Sequence, residues 1–124
     1  MFHAHSGGFQ RSGSPPSFDS GTLSSRGDVV VITLNFRLTT LGLLALDDGV
    51  TNGNYALADI ITALDLGRAH IEDLCGDQNR IMILGQPAGA VTVTAMLGCP
   101  KSIRKFAGAI PPYLPRPTLH NILQ

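Results

Sequence analysis

The chain has 124 residues, which is enough for one compact domain. Nine Lys and Arg balance nine Asp and Glu, so the zero net charge gives no case for a nucleic-acid partner. Hydrophobic residues make up 44% of the chain and charged residues 15%, which excludes a disordered tail. No apolar run reaches the length of a membrane span. The two cysteines, Cys75 and Cys99, have no zinc-type spacing and are too few for a disulfide scaffold.

Charge is distributed unevenly along the chain. All nine carboxylates precede residue 80, whereas the segment from Arg80 onward carries only cations. These five cations are scattered among apolar residues, which is typical of a solvated face rather than of a nucleic-acid surface.

Four apolar segments are predicted to be strands, namely residues 1–5, 29–36, 80–84 and 106–110. The run from Val29 to Leu34 is uncharged and mostly β-branched, which is typical of a strand covered on both faces in a parallel sheet. Turn-forming residues predict loops over 10–28 and 37–54, with one short helical turn near Leu23.

Helices are predicted at roughly 55–75 and 88–98. The first has an apolar face at spacings of three, four and seven, formed by Leu57, Ile60, Ile61, Leu64, Ile71 and Leu74. Gly67 lies on that face and is expected to leave packing unfilled. Strands that alternate with helices predict an α/β fold with a parallel, doubly wound sheet. Four prolines exclude regular structure from the tail, residues 111–124.

A strand-to-helix turn at Gly85-Gln86-Pro87-Ala88-Gly89 stands where a Gly-x-Ser-x-Gly nucleophile elbow occurs in α/β-hydrolases. Four further blocks resemble, in the same order, motifs of the type B carboxylesterases, the group of cholinesterases and fungal lipases. They are residues 5–9 (HSGGF), 27–38 (GDVVVITLNFRL), 53–59 (GNYALAD) and 76–81 (GDQNRI). The resemblance implies that residues 1–110 form a partial α/β-hydrolase domain of about four mainly parallel central strands. It also implies that the chain starts within the sheet and lacks the earlier strands of the family.

The resemblance implies a role for each matching residue. The family hydrolyses small carboxylic esters by acyl transfer through a Ser/acid/His triad and needs no cofactor or metal. The backbone N–H groups of Gly7, Gly8 and Ala88 would bind the oxyanion. Gly85, Gln86 and Gly89 would form the elbow, and Pro87 would occupy the nucleophile position.

Pro87 is the main departure from the family pattern, because proline has no hydroxyl to attack an ester. The proline ring also holds φ near −65°. The resemblance instead implies a positive φ for the residue at this position. Proline also favours an extended Gln86, so the elbow is expected to be rebuilt. The 37 residues after Pro87 contain no Asp or Glu, and their single histidine, His120, matches no family motif. The chain is therefore predicted to be inactive, even with a serine restored.

Three alternatives to an active hydrolase stay open: a non-catalytic fragment that binds a hydrophobic ligand or a partner, a chain without a role, and an incomplete gene model. Outer strands of the sheet are expected to lack partners, which favours self-association. The family is often secreted, but the start of the chain has no signal-peptide pattern and indicates no compartment.

Other motifs favour ordinary explanations. His3 and His5 would share a strand face but have no third metal ligand in reach. Asp47-Asp48 is typical of a solvated turn, and Arg26-Gly27-Asp28 of a loop that enters a strand.

Overall fold

The computed structural model describes residues 1–11 and 19–111, and the described residues contain one four-stranded sheet flanked by helices. The strands are β1 (Phe2–Ala4), β2 (Ile32–Thr33), β3 (Met82–Gly85) and β4 (Gly108–Ile110). The helices are α1 (Gly21–Gly27), α2 (Thr39–Leu43), α3 (Tyr55–His70) and α4 (Ala88–Gly98), with a 3-10 turn at Glu72–Leu74. Except for Pro111, the tail and its His120 lie outside the described residues.

All strand pairs are parallel, and the strand order is β2-β1-β3-β4. The chain leaves β1 toward one side, to β2, and returns on the other side to form β3 and then β4. The direction of winding therefore reverses between β1 and β3, which is where doubly wound sheets bind ligands at the carboxyl ends of their strands. The predicted α/β class and the parallel central strands are confirmed.

The hydrophobic core lies between one face of the sheet and helices α3 and α4. Phe2 and Ala4 of β1 join a buried cluster with Ile60 and Leu64 of α3 and Val93 and Met96 of α4. Because strand side chains alternate, His3 and His5 belong to the opposite face. Helix α4 has the predicted bounds, and α1 contains the helical turn predicted near Leu23. None of the described helices is long and apolar enough to cross a membrane.

Two details of α3 differ from the prediction. The helix ends at His70 and is followed by the 3-10 turn, so Leu74 does not join the core and is 56% exposed. Gly67 leaves no packing unfilled, because the Phe2 ring occupies its space: a Cβ built on Gly67 would lie 2.1 Å from Phe2 Cζ.

The segment predicted as a strand over 29–36 is paired only at Ile32 and Thr33. Residues 29–34 are half-buried rather than buried, because β2 is the outermost strand of the sheet. The prediction of a strand covered on both faces was therefore wrong.

The predicted loop over 37–54 contains α2. Gly42 of this helix is buried, and a Cβ there would lie 2.3 Å from the Arg37 carbonyl oxygen. The glycine is thus required for a close backbone approach rather than for a turn.

The basic segment from Arg80 onward contacts α3 through Lys105, whereas the sequence predicted that its cations form a solvated face. Lys105 Nζ contacts both carboxylate oxygens of Asp65. Arg68 Nη1 donates to the Lys105 carbonyl oxygen at 2.7 Å and to that of Gln78 at 3.3 Å. Asp65, which precedes residue 80, therefore pairs with one of the later cations.

Candidate active site

Two segments meet at the carboxyl ends of β1 and β3. The glycine loop, residues His5–Phe9, follows β1, and the elbow segment, residues Gly85–Gly89, begins at the end of β3. Ala4 and Gly85 are register partners, so both segments leave the sheet at the same level. The Gln86 N–H donates to the Ala4 carbonyl oxygen at 3.4 Å and extends the pairing by one residue. The fold thus brings together the two segments that the sequence singled out.

The backbone of the glycine loop requires glycine at position 7. Gly7 has φ +113°, and a Cβ there would lie 2.5 Å from the Arg11 carbonyl oxygen. The carbonyl oxygen of Gly7 accepts from the N–H groups of Gln10 at 3.0 Å and Arg11 at 3.2 Å, which closes a tight turn. Gly8 has φ +60° with open space around it. Ser6, which stands where the family resemblance implies a glycine, is not among the positive-φ residues and fits without backbone strain.

His5 is the first residue of the glycine loop and packs into the interior of the fold. The side chain is buried, its ring stacks on Phe36 with centroids 4.4 Å apart and an interplanar angle of 15°, and its Nδ1 lies 2.5 Å from the Ser6 carbonyl oxygen. Within the described residues, His5 Nε2 is buried without a hydrogen-bond partner. The contact with Phe36 fixes the orientation of the loop, so His5 has a structural function in this fold.

His3 lies two residues earlier on β1 and is also buried. Burial lowers the pKa of His3, and the neighbouring His5 lowers it further, because a second positive charge nearby disfavours protonation. No group of three His, Cys, Asp or Glu side chains among the described residues could hold a metal ion.

The elbow segment is packed too closely for any residue but glycine at two positions. A Cβ on Gly85 would lie 2.3 Å from the Gly89 backbone, and a Cβ on Gly89 would lie 2.2 Å from the Ala4 carbonyl oxygen. The N–H of Gly89 donates to the Gln86 carbonyl oxygen at 2.5 Å, and that of Ala90 at 3.3 Å. The first turn of α4 is therefore pressed against both β1 and β3.

Pro87 occupies the apex of the elbow segment and is the N-cap residue of α4, with φ −19° and ψ −64°. The φ is negative, as the ring demands, although less negative than the usual value near −65°. Ala88 is the first residue of α4, and N–H groups of a first helical turn have no acceptor inside the helix. The N–H groups of Gly89 and Ala90 already donate to the Gln86 carbonyl oxygen, so the Ala88 N–H is the donor that this turn can offer, and Pro87 supplies no nucleophilic side-chain atom.

A cleft lies at the amino ends of the strands, on the side of the sheet away from the glycine loop and the elbow segment. The sequence did not predict it. Its volume is about 420 Å³, and its walls come from the amino ends of the strands and from the 3-10 turn. Asp28, Asp77 and Arg80 provide charged groups, and Cys75 lines it in a left-handed conformation with φ +60°. By contrast, the cavity under α3 and α4 measures about 10 Å³, at the lower limit for one water molecule.

Comparison with known proteins identifies the class of protein. The model of the carboxylesterase family matches residues 1–112. A thermophilic pNB esterase of known structure superimposes with a TM-score of 0.83 at 33% identity, over 88% of this chain and 23% of that one. The chain therefore belongs to the carboxylesterase family and has a partial α/β-hydrolase fold.

Relatives in this family have several kinds of name. Carboxylesterase 5A of Felis catus is 36% identical over 118 residues, 90% of this chain and 22% of the relative. Neuroligin-2 of Mus musculus is 39% identical over 97 residues, 78% of this chain and 12% of the relative. The chain thus spans less than a quarter of the length of these relatives.

Proposed function

We propose that this chain is a non-catalytic representative of the ester-hydrolase lineage, with Pro87 at the position of the nucleophilic serine. The observation that carries the proposal is the apex of the elbow segment, where the N-cap residue of α4 has no hydroxyl. Acyl transfer requires a nucleophile with an adjacent base, and a pyrrolidine ring supplies neither. Residues 88–124 contain no Asp or Glu that could orient a base.

The other site residues support a site that has the backbone arrangement of the family but does not carry out its reaction. We infer that Gly7, Gly8 and Ala88 correspond to the oxyanion donors of the family, and Gly85, Gln86 and Gly89 to its elbow. Small esters are the substrate class of the family, so we expect an ester-type molecule to be the ligand at the carboxyl ends of β1 and β3. In the alternative, the carboxyl ends of β1 and β3 bind a hydrophobic ligand or a protein partner and catalyse no reaction.

We propose in addition that the chain associates with itself through an outer strand of its sheet. β2 and β4 are the outer strands of the described sheet, and unpaired strand edges present rows of N–H and C=O groups to other chains. Two apolar side chains at these edges support this: Ile110 is 43% exposed and Ile32 is half-buried.

An aryl-ester assay on the purified chain tests the absence of catalysis. We expect no release of phenol above a heat-inactivated sample, at neutral and at mildly alkaline pH. Turnover above that control would contradict the proposal if it disappears when His5 or Gly8 is replaced, because the activity would then belong to this site. Turnover that survives both replacements would indicate a contaminating esterase and leave no activity for this chain.

A further inference from the structure

Two residues in different segments have left-handed backbone conformations that their side chains disfavour. Phe9, the last residue of the glycine loop, has φ +60°, and Thr39, the first residue of α2, has φ +54°. Of the described residues with positive φ, only Thr39 is β-branched. A bulky or β-branched residue with positive φ is an outlier, because its Cβ crowds the backbone. Such strain persists only where the surrounding structure compensates for it.

One hydrogen bond joins these two strained residues. The N–H of Thr39 donates to the Phe9 carbonyl oxygen at 2.9 Å. Phe9 is half-buried and packs against the hydrophobic core cluster, so its side chain and its carbonyl group both hold the end of the loop. The strain therefore coincides with the contact between α2 and the glycine loop.

The segment that leads into α2, residues 36–39, contacts the glycine loop at a second point. Phe36 is buried, and its ring stacks on the ring of His5 with centroids 4.4 Å apart. The segment thus contacts the loop at its first residue, His5, and at its last residue, Phe9.

Residues 36–39 are themselves held by the neighbouring helices. Arg37 donates to the Asp59 carboxylate of α3 from its backbone N–H at 3.0 Å and from its Nε at 2.7 Å. Leu38 packs against the core cluster, and its carbonyl oxygen accepts from the Gly42 N–H of α2 at 3.1 Å. Because the segment has these contacts of its own, its conformation does not depend on the glycine loop alone.

We propose that Thr39 is a positioning residue for the glycine loop. Its left-handed backbone directs the Thr39 N–H to the Phe9 carbonyl oxygen, and the stacking of Phe36 on His5 holds the other end of the loop. The backbone N–H groups of the loop glycines between these two contacts then take their positions from residues 36–39. This role concerns backbone geometry and does not depend on whether the elbow segment is catalytic.

Two adjacent threonines provide a matched test of the strain. Thr39 and Thr40 are both exposed residues of α2, but only Thr39 has a positive φ. Thr39→Gly removes the steric penalty, so we expect the equilibrium constant for unfolding of the full chain in urea to fall about fivefold. Thr40→Gly removes the same side chain from ordinary helical backbone and should raise this constant about twofold. A constant that Thr39→Gly leaves unchanged or raises would overturn the inference.

Replacement of a single backbone N–H by an ester oxygen tests the positioning itself. The α-hydroxy analogue of threonine at position 39 removes the donor and keeps the side chain. The same analogue at position 40 is the control, because an N–H in the first turn of a helix has no acceptor within the helix. The amides of Gln10 and Arg11, which donate to the Gly7 carbonyl oxygen, report on the loop by hydrogen exchange.

The expected result is a local effect on the glycine loop. With the ester at position 39, exchange of the Gln10 and Arg11 amides should accelerate about threefold more than exchange of the β3 amides. With the ester at position 40, the loop and β3 should change alike. If the loop and β3 also change alike with the ester at position 39, Thr39 serves α2 alone and the inference is overturned.

The unmodified chain decides the question if the ester variant does not fold. A scalar coupling across the hydrogen bond, between the Thr39 nitrogen and the Phe9 carbonyl carbon, is expected in the NMR spectrum. The coupling between the Ala58 nitrogen and the Asn54 carbonyl carbon, whose hydrogen bond measures 3.0 Å, is the positive control. A spectrum that contains the control coupling and lacks the one between Thr39 and Phe9 would overturn the inference.

Discussion

The glycine loop and the elbow segment lie side by side at the carboxyl ends of β1 and β3, yet they differ in why they require glycine. In the loop, Gly7 is required by its φ of +113° and by the nearby Arg11 carbonyl oxygen. In the elbow segment, Gly85 and Gly89 are required by close packing, whereas the apex is Pro87. The two segments therefore require glycine for different reasons, backbone conformation in the loop and close packing in the elbow segment.

The largest effect is expected at Gly89, because its space is filled by backbone that cannot move aside. Gly89→Ala places a Cβ 2.2 Å from the Ala4 carbonyl oxygen. We expect a loss at or beyond the upper end of the roughly 1–3 kcal/mol typical of overpacking, measured by urea unfolding. Gly98→Ala in the same helix is the matched control, because nothing lies within 4 Å of its Cβ. A loss of stability for Gly98→Ala as large as for Gly89→Ala would show that helix composition, not the elbow, is responsible.

Gly67→Ala tests the same kind of constraint away from the elbow, where the neighbour is a side chain. Its Cβ would lie 2.1 Å from Phe2 Cζ, so the ring must shift. The gain in helix propensity of about 1 kcal/mol offsets part of the overpacking, and we expect a net loss of roughly 1–2 kcal/mol. Phe2→Leu should be less harmful in the Gly67→Ala background than in the unmodified chain, which a double-mutant cycle measures. Simple additivity would contradict direct contact between the two residues.

Asp59→Asn should have a smaller effect that depends on pH. Arg37 donates to this carboxylate from its backbone N–H, Nε and Nη2 at 3.0, 2.7 and 2.5 Å, and these hydrogen bonds lower the pKa of Asp59. A lowered folded-state pKa stabilises the fold above the unfolded value, near 3.9, and this contribution disappears as the pH falls through the folded-state pKa. The melting temperatures of variant and unmodified chain should therefore differ at pH 7, and the difference should shrink progressively as the pH falls below about 3.9. A difference independent of pH would contradict the ion pair as its cause.

The smallest effect is expected for Pro87→Ser, which places a hydroxyl at the apex; because residues 88–124 contain no Asp or Glu to orient a base, we expect that hydroxyl to stay unactivated. Serine is a favoured N-cap residue, so we expect the stability to change by less than about 1 kcal/mol. Ester hydrolysis should remain at the level of the unmodified chain in the aryl-ester assay. A gain in turnover that Pro87→Ala does not share would mean that a proton acceptor lies within reach of the apex.

Much of the fold was predictable because local patterns and global packing agree there. Helix α4 follows from a small-residue segment after a buried strand, and the parallel order follows from the alternation of strands and helices. The paired part of β2 was overestimated, because a β-branched run does not reveal how many neighbours a strand has. Helix α2 was missed, because the turn-forming residues at 47–49 and 52–54 indicated a loop for all of residues 37–54. No local pattern reveals the close approach of Gly42 to the Arg37 carbonyl oxygen.

The site was predictable as a pair of segments but not in its details. The resemblance in residues 5–9 and 85–89 identified the two segments that the sheet brings together. The stacking of His5 on Phe36 and the cleft at the amino ends of the strands depend on contacts between distant segments, which no local spacing encodes.

The most direct measurement is the intact mass of the chain after treatment with a fluorophosphonate, which forms a stable adduct with an activated serine nucleophile. The proposal of a non-catalytic elbow predicts the unmodified mass at every time point, with an active serine esterase labelled fully in the same tube. A stoichiometric adduct on this chain, prevented by prior heat inactivation, would contradict it.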